Sequence, residues 1–223
     1  MTFAMMRRRI TMHNRNRKVK SPVPDPASKS QAAKRSRFIP EDDLPLYARS
    51  FHKAAKALAG SLLVGGNPVS DVDFSPVVNM YRLALELHLK ALVLGEGGNF
   101  LATKPDAMSV HKTHSVSWLA QFVAQIVAAV GWQKEFRCKG VESLDDFKAL
   151  VESVNSVDPG SYTYRCFVDD QMEFDVGGFC RKMDAVLALL DSTADGLAAE
   201  WDFRSGKLPD IEPDDGGFGT TIQ

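Results

Sequence analysis

Apolar positions along this chain recur mostly at intervals of three and four from Asp43 to Trp201, the period of helices buried along one side. The first run is Tyr47, Phe51, Ala54, Ala55, Leu58 and Leu62. Asp43 is placed to cap it, Pro45 falls in its opening turn, and Gly65-Gly66-Asn67-Pro68 ends it. The second run has the clearest start, with Ser75 at a capping position and Pro76 at the first helical one. It is apolar on most sides from Val77 to Leu94, which predicts a central place in a bundle, and Gly95, Gly97 and Gly98 stop it. A loop is expected from there to Thr113.

A third helix is predicted over 115–130, with Trp118, Leu119, Phe122, Val123, Ile126, Val127 and Val130 as its apolar face. A short fourth is predicted over 144–154, capped by Ser143, and a last one over 179–201 with Phe179, Met183, Val186, Leu187 and Leu190 inward. Residues 157–173 read as a loop in which Ser161-Tyr162-Thr163-Tyr164-Arg165 alternates and is briefly extended. No alternation long enough for a sheet occurs, and no internal repeat. The pattern therefore predicts an all-α, antiparallel bundle of four to five helices over 42–203. A basic arm, 1–41, precedes it, and an acidic Gly-rich tail, 204–223, follows.

The polar positions inside the second helix are the main departure from this pattern. At about 100° per residue, Asn79, Arg82, Glu86 and Lys90 share one narrow stripe. Arg82–Glu86 and Glu86–Lys90 are both four apart, with Glu before Lys in the favourable order. Two readings stand open: an exposed salt-bridged face, or a polar groove completed by neighbouring segments. His114, beside the start of the third helix, is placed to reach Glu86. His88 lies opposite the stripe and reads as a satisfied, partly buried histidine. On the first helix Arg49, His52, Lys53 and Lys56 form a more basic stripe, read as a solvated face.

Charge separates the arm from the rest. Of 27 bases and 28 acids, residues 1–40 hold eleven bases and one acid, Asp25, so 16 bases and 27 acids follow. Arg7, Arg8, Arg9, Arg15, Arg17, Lys18 and Lys20 make the arm a polyanion-attracting segment that contacts phosphates with strong salt dependence. A solvated tail, or an extension upstream of a later start at Met5, Met6 or Met12, is the alternative. Asp210, Glu212, Asp214 and Asp215 of the tail could compete for it. The three cysteines, Cys138, Cys166 and Cys180, form no Cys-x-x-Cys pair, which points to a reducing cytoplasm. No apolar run is long enough to span a membrane. His111 and His114 have no Glu or Cys at ligand spacing, so neither a metal nor another cofactor is expected. No phosphate loop, nucleophile elbow or dinucleotide fingerprint occurs.

The run Ser75-Pro76-Val77-Val78-Asn79-Met80-Tyr81-Arg82-Leu83-Ala84-Leu85-Glu86-Leu87-His88-Leu89-Lys90-Ala91-Leu92 resembles the corresponding helix of bacterial HEPN-like (higher eukaryotes and prokaryotes nucleotide-binding) domains. Thr113-His114-Ser115-Val116-Ser117-Trp118-Leu119 is similar to the His-bearing lead into that family's next amphipathic helix. Tyr162-Thr163-Tyr164-Arg165 resembles its aromatic-Arg segment. The resemblance spans 43–200. It implies a helical bundle, often a homodimer, that binds RNA or a nucleotide and belongs to a defence or toxin–antitoxin system with a cognate protein partner. It implies Asn79, Arg82, Glu86, Lys90 and Tyr164 as a polar ligand site, with His114 and Arg165 as the residues for any catalysis. Ribonuclease members carry Arg, four to six residues, then His near the last helix. Here Cys166-Phe167 follows Arg165 and no His occurs after His114. Arg82 and His88 match that spacing only mid-helix, about 120° apart around the axis. A metal-independent ribonuclease and a non-catalytic dimerisation or interaction scaffold are the alternatives.

Overall fold

Six α-helices carry the fold in the computed structural model, which describes residues 39–64, 71–157 and 175–207. They are α1 (Leu44–Leu63), α2 (Asp71–Leu94), α3 (Ala107–Lys112), α4 (Val116–Val130), α5 (Leu144–Val157) and α6 (Val176–Arg204). Among the described residues there is no strand, only an isolated bridge between Cys138 and Val141, so the all-α expectation holds. None of the described helices is long and apolar enough to cross a membrane. All these residues belong to one contact unit, Phe38–Gln223.

Helix α2 is central because it is apolar nearly all round. It packs against α1, α3, α4 and α6, and Val77, Ala84, Leu85, Leu89 and Val93 are almost fully excluded from solvent. A helix with no outward face must be covered on every side. Helices α4 and α6 supply Leu119, Val123, Met183, Leu187 and Leu190 to the same core.

Several boundaries differ from the sequence expectation. Helix α2 begins at Asp71, one turn before Ser75-Pro76, so Pro76 lies inside the helix. Pro76 has no N–H to bond Val72, a local loss that packing outweighs. Phe74, in that extra turn, is buried and meets the Phe179 ring edge-on with centroids 5.8 Å apart. The expected loop after α2 contains a 3-10 turn, Glu96–Phe100, and the short helix α3. Asp106 caps α3 by accepting from the Ser109 N–H at 2.8 Å. Six residues with one buried apolar side chain, Val110, are too few for periodicity to reveal. Gly97 and Gly98 do more than stop α2. Both are buried, and a Cβ on either would run into the carbonyl oxygens of Leu92 and Val93. Their backbone folds directly over the helix end where only glycine fits.

Helix α5 continues to Val157, and α6 starts three residues early, at Val176, capped by Asp175. The basic stripe on α1 is solvated at Arg49, Lys53 and Lys56, as expected, but it also faces acids of α6. Arg49 pairs with Asp191 at 2.7 Å and reaches Asp195 at 3.7 Å, while His52 and Lys56 lie 2.8 and 3.8 Å from Asp184. Asp184, Asp191 and Asp195 recur at seven and four residues and form one stripe of α6. The two charge series run in opposite chain directions, so α1 and α6 are antiparallel.

Candidate functional site

The polar stripe of α2 is buried. Arg82, Glu86 and Lys90 are 2%, 2% and 5% exposed, which removes the reading of an exposed salt-bridged face. Asn79, the first of the four, is half-buried and outside the network that joins the others. The Glu86 carboxylate receives Lys90 Nζ at 2.8 Å on Oε1 and Arg82 Nη1 at 3.3 Å on Oε2. An isolated carboxylate at this depth would cost several kcal/mol; two cations and the helix register that supplies them offset that.

Each cation also donates to a backbone carbonyl, one in the last turn of α3 and one just before α4. Arg82 Nη2 donates to the His114 carbonyl at 2.6 Å, and Lys90 Nζ donates to the His111 carbonyl at 3.0 Å. The stripe thus anchors the turn that leads into α4. Ser115 finishes that turn by accepting from the Trp118 N–H at 3.2 Å, as a helix cap.

His114 completes the cluster. Its Nδ1 lies 3.1 and 3.3 Å from the two Glu86 oxygens, the contact expected from its place beside α4. An ionised carboxylate only accepts, so Nδ1 carries the proton in that contact. The ring is therefore held with Nδ1 inward, and its side chain is 43% exposed against 3% for Glu86. The arrangement is a surface imidazole oriented by a buried carboxylate that is itself fixed by two buried cations. It can donate to or accept from a ligand, and it can shuttle a proton. His111 does not share this role. Its ring lies 3.7 Å from Glu41, and its carbonyl accepts from Lys90 of the stripe. Tyr164, Arg165 and the arm residues Arg7, Arg8, Arg9, Arg15, Arg17, Lys18 and Lys20 lie outside the described residues.

A second polar cluster sits on the other side of α2, and the sequence reading missed it. Asp184 accepts from Tyr81 Oη at 2.9 Å and lies 2.8 Å from His52 Nε2. Burial, reinforced by the Asp184 carboxylate, pushes the Tyr81 hydroxyl far above its ordinary range. The detectable signal was the match between the acidic stripe of α6 and the basic stripe of α1. His88 is also more buried than expected, at 3% exposure, and its Nε2 has no hydrogen-bond partner among the described residues. Burial pushes its pKa down to about 4, so it is neutral at pH 7.

Other features are less suggestive. Cys180 is buried and Cys138 half-buried, and burial pushes both thiols up, away from reactivity. Among the described residues no three His, Cys, Asp or Glu side chains converge as a metal would need. An open cavity of about 440 Å³ lies between the start of α1, the end of α2 and α6; Glu41, Asp42, Glu96 and Lys104 line it. Comparison of the chain with family models, with curated proteins and with solved structures gives no match in any of the three.

Proposed function

We propose that this chain is a HEPN-like helical domain that binds RNA or a nucleotide, with His114 as the protein group that meets the ligand. The observation that carries the reading is the oriented surface imidazole. Three buried charges are a costly way to hold one exposed side chain whose direction does not matter. A ring fixed by Glu86 presents one edge to a phosphate or a 2′-hydroxyl without losing rotamer freedom on binding. Arg165, brought in by the family resemblance, supplies the cation, and the arm adds affinity for phosphates without sequence preference.

The test is binding of a labelled single-stranded RNA, followed by fluorescence anisotropy, in the full chain with all eleven arm cations, at positions 7, 8, 9, 15, 17, 18, 20, 29, 34, 35 and 37, changed to Gln. His114→Gln and Arg165→Ala are each expected to weaken binding at least tenfold, about 1.4 kcal/mol. Unchanged affinity in both variants overturns the reading. A second reading is favoured by a specific observation: both cations of the stripe end on backbone carbonyls of 111 and 114. In that reading the network only pins the α3–α4 connection and the bundle serves as an interaction scaffold. His114→Gln would then leave RNA affinity untouched, while Glu86→Gln would cost stability.

A further inference from the structure

The body of this protein is acidic, yet one exposed turn gathers cations from two distant parts of the chain. Cys138-Lys139-Gly140-Val141 is a tight turn closed by reciprocal bonds, Cys138 N–H to Val141 O at 2.8 Å and Val141 N–H to Cys138 O at 2.9 Å. Gly140 has φ +84°, a conformation that favours glycine, and it leaves that position without a side chain. Lys182, from the second turn of α6, lies over that glycine: a Cβ placed on Gly140 would be 3.4 Å from Lys182 Cε. Lys139 is the other central residue of the turn, Arg137 stands just before it, and all three cations are exposed.

Among the described residues none of Arg137, Lys139 and Lys182 enters an ion pair, whereas the neighbouring Arg181 is held at 3.8 Å from Asp175. Glu135 and Glu142 flank the segment, and Lys134 offsets one of them. The two bonds that close the turn use the amides of Cys138 and Val141, so those of Lys139 and Gly140 remain outside that pairing. Successive backbone amides in a turn make an anion-sized concavity. Two ammonium groups, a guanidinium, a glycine with no side chain and two amides left out of the turn's own pairing together suit a tetrahedral dianion or monoanion approached along a chain.

We propose that the 137–140 turn and Lys182 form a phosphate-contacting surface for the backbone of single-stranded RNA, separate from His114 and from the arm. The inference rests on the RNA reading for the identity of its ligand, but it does not need His114 to take part. Each phosphate neutralised on a single strand contributes about 0.7 to the slope of log affinity against log salt. Three contacts therefore contribute about 2, or an approximately twentyfold share of the affinity lost between 50 and 200 mM salt.

The experiment measures that slope for a labelled oligouridylate in the full chain with the arm cations changed to Gln. The triple variant Arg137→Gln, Lys139→Gln, Lys182→Gln is expected to flatten the slope by about 2. Restoring positive charge with Arg137 intact, Lys139→Arg and Lys182→Arg is expected to recover it. All three positions are exposed, and an unchanged thermal midpoint verifies folding. An unchanged slope in the triple variant overturns the proposal and leaves the His114 reading standing. A flattened slope with wild-type affinity in His114→Gln supports this surface and removes His114 from RNA binding. No binding at all by the arm-neutralised chain overturns both.

Discussion

Glu86→Gln is the substitution that most directly probes how the α2 stripe is held. The change keeps the shape of the side chain and removes its charge. Glu86 is 3% exposed by side chain, and its partners Arg82 and Lys90 are 2% and 6% exposed, so neither cation can turn to water without moving the helix. Losing one member of a buried charged cluster costs about 3–5 kcal/mol, mainly because the remaining charges stay buried and uncompensated. Glu86 pairs with both cations, so one substitution removes two buried ion pairs. For a domain of this size about 1 kcal/mol shifts the thermal midpoint by about 2–4 °C, so a drop of roughly 6–20 °C is expected. Equilibrium urea unfolding followed by far-UV circular dichroism gives the free energy, with the slope against denaturant checking that the unfolded state is unchanged. The companion variant replaces the whole cluster, Arg82→Met, Glu86→Leu and Lys90→Met. It is expected to recover most of the loss, because apolar residues of similar volume replace buried ion clusters at little cost. A loss below about 1 kcal/mol for Glu86→Gln would refute the reasoning, since that is the range of a solvated pair.

Other consequences follow from the second cluster and the backbone. His88 is neutral in the folded chain down to about pH 4, while in the unfolded chain it protonates near its ordinary 6.5. Protons therefore bind the unfolded state first, and stability falls as pH drops from 6.5 to 4, by about 3 kcal/mol from this residue. In urea unfolding at pH 7 and pH 4.5, His88→Met should lose less stability than wild type between the two; equal losses would remove His88 as the cause. Tyr81→Phe removes a hydrogen bond to the Asp184 carboxylate and is expected to cost about 1–2 kcal/mol in the same assay with RNA affinity unchanged. Gly98→Ala places a Cβ against the Val93 carbonyl and is expected to cost about 1–3 kcal/mol. Because Phe100 stacks edge-on against Trp201, tryptophan fluorescence should report that distortion near the 3-10 turn.

The helices that were legible in the sequence are the long, periodic ones. The face Leu119, Val123, Ile126 and Val127 of α4 is buried as its spacing requires, and so is Met183, Val186, Leu187 and Leu190 of α6. Local propensity misled where tertiary packing outweighed it. Ser75-Pro76 is a sound start signal, but burying Phe74 against Phe179 extends the helix past it. Helix α3 was invisible because a single turn and a half needs no repeat. The stripe's membership was legible, since one face of a helix follows from the period alone. Its burial was not, because depth depends on what α3 and α4 bring over it. The same limit hid the α1–α6 seam: each stripe was visible, but their opposition depends on antiparallel docking. The place of His114 beside the start of α4 put its ring within reach of Glu86, and the contact is present; Arg165 and Tyr164 lie outside the described residues.

The two cation-to-carbonyl bonds sharpen what the α2 cluster is for. Both cations donate to backbone carbonyls, Arg82 to His114 and Lys90 to His111, tying two positions eight residues apart on α2 to the last turn of α3 and the lead into α4. The ring of His114 is then constrained twice, through its own backbone and through Nδ1 on Glu86. Stability requires only the first constraint, because the α4 cap at Ser115 already ends the turn. The second sets the direction of an imidazole that is half in solvent. That distinction can be measured without any ligand. Under the orienting reading Glu86→Gln, if it remains folded at low temperature, loosens the His114 ring, read by NMR as loss of the hydrogen-bonded Nδ1–H signal, whereas His114→Ala costs far less stability than Glu86→Gln. Comparable losses for the two variants would make His114 a structural member of the cluster and would favour the scaffold.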